Sequence, residues 1–193
     1  MGVENTPIEQ FFADKAASSS NVVREANAPR TVQTGSYTLQ ASKAEGKTWS
    51  NETNVREGVH FQLSVLKGER KVGTVFADMS WQEARYKNGN LDTKSKLWLQ
   101  LIKATNPDLK PDEQANLTVQ QVVDAATKYP FSGYVMEQYM VPATEDDKAN
   151  GYYMEFKRKS AKTEDEAAEY RKAGYKVVNT LSNVYPHKPE SNG

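Results

Sequence analysis

Residues 60–81 read HFQLSVLKGERKVGTVFADMSW. Phe61, Leu63 and Val65 alternate with His60, Gln62 and Ser64, the two-residue period of a strand with one apolar and one polar face. Lys67-Gly68-Glu69-Arg70 interrupts that pattern with a glycine free to take positive φ, as a tight hairpin connection requires. Residues 72–79 are rich in β-branched and aromatic side chains and predict the return strand. Phe76 lies in a run with apolar residues on both faces, which leaves its side open. A lone two-stranded ribbon is only marginally stable in water, so the rest of the chain must supply more strands and a closing layer.

Upstream, Tyr37, Leu39 and Ala41 alternate with Ser36, Thr38, Gln40 and Ser42, predicting a first strand over 35–44. Residues 45–58, which include Gly46, Asn51, Asn54 and Gly58, read as a long connection. Loops of that length without their own secondary structure are uncommon and often functional. Downstream, Asn88-Gly89-Asn90 signals a turn, and Asp92 or Thr93 can cap a helix beginning at Lys94. Its apolar stripe is Leu97, Trp98, Leu101 and Ile102, and Asn106-Pro107 ends it. A second helix starts at Thr118 with Gln121 as capping-box partner and stops at Tyr129-Pro130.

Two further strands are expected at 131–141 and 151–161, separated by an acidic loop that includes Glu145, Asp146 and Asp147. In the second of them Tyr152, Met154 and Phe156 share one face, and Tyr153, Glu155, Lys157 and Lys159 the other. Thr163 caps a helix over 164–172 that ends at Gly174, and 177–185 predicts an edge strand.

The expected class is therefore mainly β with helices, in the order β-β-β-α-α-β-β followed by a C-terminal helix. Three strands, a helical segment and two strands is the order of a five-stranded, OB-like antiparallel barrel. An unrelated α+β sheet with helices at one end has the same order. The expected layout is a flexible N-terminal segment over 1–33, the OB-like domain over 34–162, a C-terminal helix and edge strand over 163–185, and a disordered tail over 186–193. The N-terminal segment holds a short helix at 7–15 and a polar run at 16–21 that cannot bury enough apolar surface to offset its ordering entropy. Phe11 and Phe12 stand out within it, either as loose packing on the domain or as a partner-binding segment.

The 193 residues carry 25 basic and 25 acidic side chains, so bulk positive charge does not drive nucleic-acid binding. A local basic surface balanced by acid elsewhere remains open. The apolar fraction of 37% and mean hydropathy of -0.78 fit one modest core with solvated loops. Without cysteine there are no disulfides and no thiolate metal sites. No apolar run approaches the length needed to span a bilayer, and residues 1–15 lack the basic start and apolar stretch of a secretory signal. A soluble, cytoplasmic protein is expected.

The chain resembles small phage-encoded single-stranded-DNA-binding proteins of the OB type. The resemblance rests on Thr34-Gly35-Ser36-Tyr37-Thr38-Leu39 opening the barrel, on the 61–76 hairpin, and on Lys96-Leu97-Trp98-Leu99-Gln100 entering the helical segment. It covers roughly residues 35–159 and consists of patterns of residue type. It implies single-stranded DNA binding in replication or recombination, in the cytoplasm of a bacterial host. The acidic loop before the last strand, and a C-terminus without an acidic, apolar-tipped tail, depart from that family. The terminal segments are candidate sites for protein partners.

Single-strand binding needs aromatic platforms for bases and cations for phosphates on one surface. In an OB fold that surface is the face of the second and third strands with the flanking loops. Residues 45–58 supply Lys47, Trp49 and Arg56; the hairpin supplies Lys67, Arg70 and Lys71. Trp81, Arg85 and Tyr86 follow it, and the last strand adds Tyr153, Lys157 and Lys159. Trp49, with no apolar neighbours at strand or helix spacing, is the leading stacking candidate. Trp81 and Tyr86 read as barrel-end packing or as platforms. The alternative reading is a protein-interaction module on the same fold, such as a phage structural or counter-defence protein. No catalytic role, metal or cofactor is expected: only His60 and His187 could anchor a histidine site, and no phosphate-binding glycine motif occurs.

Overall fold

In the computed structural model, which describes residues 31–50 and 52–188, the chain is a mainly β structure with helices, built on a six-stranded sheet. Strand β1 (Gly35–Ser50) pairs antiparallel with β2 (Val55–Lys67), and β2 with β3 (Arg70–Met79). The alternation of 60–81 is realised as written: Val59, Phe61, Leu63 and Val65 are buried against Val75, Ala77 and Met79. Each valine, leucine, phenylalanine or methionine among them is worth roughly 1.5–3 kcal/mol on leaving water. Gly68, at φ 60°, takes the first central position of the turn between the paired Lys67 and Arg70, where a type II′ hairpin needs glycine.

A register shift in β1 between Ala41 and Lys43 solves a patterning problem. Strict alternation after Leu39 and Ala41 would turn Lys43 inward. The extra residue, Ser42, lets Ala44 take the buried place and leaves Lys43 exposed.

Three helices separate β3 from the next strand: α1 (Thr93–Thr105), α2 (Pro111–Ala115) and α3 (Val119–Lys128). Asp92 caps α1 by accepting from the Ser95 amide, and Thr118 and Gln121 form the expected box on α3. Leu97, Trp98, Leu101 and Ala104 of α1 meet Val122, Val123 and Ala126 of α3 in the same core. Strand β4 (Phe131–Pro142), helix α4 (Glu145–Ala149), strand β5 (Phe156–Lys159), helix α5 (Glu164–Lys172) and strand β6 (Val177–Tyr185) complete the chain.

The pairings run β1-β2-β3-β6-β4-β5, and β4 also pairs with the start of β1. Five strands thus follow one another in a cycle, β1-β2-β3-β6-β4 and back to β1, with β6 parallel to β3 at Phe76 and Thr180.

Four expectations need correction. Residues 45–58 are not a long loop: β1 extends to Ser50, β2 begins at Val55, and Trp49 faces Arg56 across the ladder. The strand expected over 151–161 is confined to Phe156–Lys159, and it is the edge. The strand expected at that edge, β6, instead lies between β3 and β4, because Leu181 and Val184 enter the core while Tyr152, Met154 and Phe156 stay exposed. The acidic loop contains a capped helical turn, α4. The first 30 residues, with the helix at 7–15, the polar run, Phe11 and Phe12, lie outside the described residues, as do 189–193 of the tail. Val32, placed within the flexible segment, packs on the core and exchanges two backbone hydrogen bonds with the Asn179 side chain, both at 2.8 Å.

Candidate nucleic-acid interface

Because Val59, Phe61, Val75, Ala77 and Met79 point inward, their neighbours point out. His60 on β2 and Phe76 and Asp78 on β3 therefore share the outer face. Phe76 is 54% exposed, and its ring stacks on His60 with centroids 5.6 Å apart and planes 8° apart. His60 Nδ1 lies 2.6 Å from Asp78 Oδ1, and Lys47 from β1 donates to Asp78 Oδ2 at 3.1 Å. Burial raises the Asp78 carboxyl, but the hydrogen bonds from His60 and Lys47 outweigh it and hold the group below its ordinary value.

Beyond Phe76 the same face continues onto β6 and β5. Phe76 pairs with Thr180, whose hydroxyl donates to Gln138 Oε1 at 2.8 Å. Arg158, exposed on β5, donates to Thr180 Oγ1 at 3.1 Å. The outer surface therefore carries a band from Lys47 through His60 and Phe76 to Arg158, with a bare aromatic ring at its centre.

At the β1–β2 end Trp49 is half-buried. Its indole lies over Gly58, where an added Cβ would come within 2.7 Å of the ring and 2.1 Å of the Met79 carbonyl oxygen. Only glycine allows that approach. Two ammonium groups flank the indole, Lys47 at 5.5 Å and Lys94 at 5.1 Å from its centroid. An aromatic ring with two adjacent cations has the chemistry a base and its phosphate need.

The other expected site residues divide. Arg56 is a brace: it donates to both Asp92 carboxylate oxygens at 2.5 and 3.0 Å, to the Gln82 carbonyl at 2.9 Å and to Ser95 Oγ at 2.8 Å. Burial works against the Asp92 carboxylate, yet the hydrogen bonds from Arg56 and Ser95 hold it down to about 2. Trp81 packs on the core, edge-on to Trp98 at 5.9 Å. Tyr86 is exposed, with its hydroxyl 3.0 Å from Thr93 Oγ1.

Arg85 is engaged by Glu83 and the Gly89 carbonyl. Lys157 pairs with Asp147 at 2.7 Å and Lys159 with Glu166 at 3.1 Å. The Lys157 hydrogen bond, with the Thr144 amide, holds Asp147 at about 2; the Tyr170 hydroxyl, with Lys162 and Lys159, does the same for Glu166. Among the described residues, Lys67, Arg70 and Lys71 at the hairpin end enter no ion pair. Tyr153 is 92% exposed and projects from the segment before β5, beside exposed Met154.

The structure thus groups Lys47 and Trp49 with His60, Phe76, Lys94 and Arg158, which sequence reasoning did not nominate. A signal for Phe76 was present, since it stands in phase with polar Asp78 and Thr74 and out of phase with Val75, Ala77 and Met79. Among the described residues no cluster of three potential metal ligands occurs, and no helix is long and apolar enough to cross a membrane. No protein-family model, curated protein or solved structure matches the chain.

Proposed function

We propose that this chain binds single-stranded DNA on an OB-type barrel, without catalysis, and serves phage replication or recombination in a bacterial cytoplasm. The barrel reading draws support from the cyclic pairing of five strands, from the helices between β3 and β4, and from the parallel contact of β3 with β6. In this reading β6, and not residues 151–161, closes the barrel. The observation that carries the function is the exposed Phe76 ring, stacked on His60 in the middle of the face of the second and third strands. That is the face on which OB folds bind single strands. Trp49 adds a second platform, and Lys94, Arg158 and the hairpin cations supply positive charge.

Several cations nominated from sequence are already neutralised, so the interaction is led by stacking. Three or four phosphate contacts, from Lys67, Arg70, Lys71 and Arg158, predict a fall of log affinity with log salt of about 2–3. The testing experiment is a titration of oligo-dT and of a duplex of equal length across a salt series. Tight binding of oligo-dT with that shallow slope, and weak binding of duplex, is the expected result; equal affinity for both, or none at low salt, overturns the reading. The second reading, a protein-interaction module, is favoured by exposed Tyr153 and Met154 and by the ion pairs on Lys157 and Lys159. It predicts no binding of either nucleic acid.

A further inference from the structure

His60 is the one group on the outer face whose protonation changes the charge beside Phe76. The imidazole faces Asp78 and Phe76 from β3 and, directly across the β1 ladder, Glu45. Lys43 pairs with Glu45 at 2.5 Å and Lys47 with Asp78 at 3.1 Å. Two carboxylates and two ammonium groups cancel, so the net charge of the cluster is set by the imidazole alone. With Nδ1 committed to Asp78, the neutral ring carries its proton there and presents Nε2 as an acceptor. The ring is about one-third exposed, and Nε2 has no hydrogen-bond partner among the described residues. Phosphate oxygens only accept, so neutral His60 offers them nothing, whereas the imidazolium offers a charged donor.

We propose that His60 makes strand binding at this face proton-linked, its imidazolium donating from Nε2 to a phosphate of the strand stacked on Phe76. The inference rests on the single-strand reading above and adds a regulated contact to it. The contact exists only for the protonated ring, so strand binding and proton uptake at His60 are coupled.

The experiment is anisotropy titration of rhodamine-labelled oligo-dT at about pH 8 and about pH 5.5, with folding checked by circular dichroism. Wild type should bind about tenfold more tightly at the lower pH, the low end for a charge-assisted hydrogen bond. Its salt dependence should steepen there by about 0.7, the increment for one more phosphate contact on a single strand. His60→Gln should flatten the pH profile, and His60→Arg should bind tightly at both values. His187→Gln should keep the wild-type profile. Affinity that ignores pH in the wild type, or a profile that survives in His60→Gln, overturns the proton link while leaving single-strand binding intact. No binding of oligo-dT at either pH overturns the single-strand reading and the link with it.

Discussion

Phe76→Ala removes a ring that is 54% exposed and whose protein contact is a parallel stack on His60 at 5.6 Å. The inward neighbours Val75 and Ala77 keep their places, so the fold loses little. A cross-strand aromatic pair contributes roughly 0.2–1 kcal/mol. For a chain of this size that lowers the melting temperature by about 4 °C at most. Binding loses far more, because a base stacked on an aromatic side chain is worth about 1–3 kcal/mol, or about 5- to 150-fold in affinity. The ring carries no charge, so the salt dependence should not change. Fluorescence anisotropy of labelled oligo-dT across a salt series, with a thermal melt of the same preparation, measures all three quantities. A folded Phe76→Ala protein that binds within twofold of wild type would refute the assignment of the platform.

Arg56→Ala should act on stability, since it strips five hydrogen bonds from a half-buried site around Asp92, Gln82 and Ser95. A cost of about 2–3 kcal/mol and a melting temperature lower by about 5–10 °C are expected, with affinity nearly unchanged. Asp92 gives the same pair a pH signature: its carboxyl lies at about 2 in the fold against an ordinary 3.8. The pair's stabilisation, about 2 kcal/mol, is complete above about pH 5 and is lost as pH falls toward 2. Urea titrations of wild type and Asp92→Asn should therefore converge in acid. Trp49→Ala should weaken oligo-dT binding and also lower the melting temperature, because the indole covers Gly58; unchanged binding would make Trp49 structural alone. Trp98→Ala, which empties part of the core, should cost about 3–5 kcal/mol in chemical denaturation.

What could be read from sequence was what local patterning determines. The 60–81 hairpin, the α1 stripe and the caps at Asp92, Thr118 and Thr163 follow from alternation, helical spacing and side-chain hydrogen bonds within a few residues. The extension of the first hairpin was missed because residues 45–58 hold only Trp49 and Val55 as large apolar side chains, too few to show a hydrophobic period. The alternation of Tyr152, Met154 and Phe156 pointed to a buried strand, yet the place beside β4 and β3 went to β6. Such competition is decided by packing between distant segments and has no local signature. For the candidate site, residue type nominated Trp49 and Lys47. It could not tell that Arg56, Lys157 and Lys159 would meet Asp92, Asp147 and Glu166, since those partners come together only in the fold.

The central claim, that a single strand lies across the outer face of β2 and β3, is tested most directly by ultraviolet cross-linking of oligo-dT followed by tryptic mapping. The cross-link should fall in peptide 72–85, which carries Phe76, and should disappear in Phe76→Ala. Cross-links confined to peptide 149–157, which carries Tyr153, or no cross-link at low salt, would contradict it.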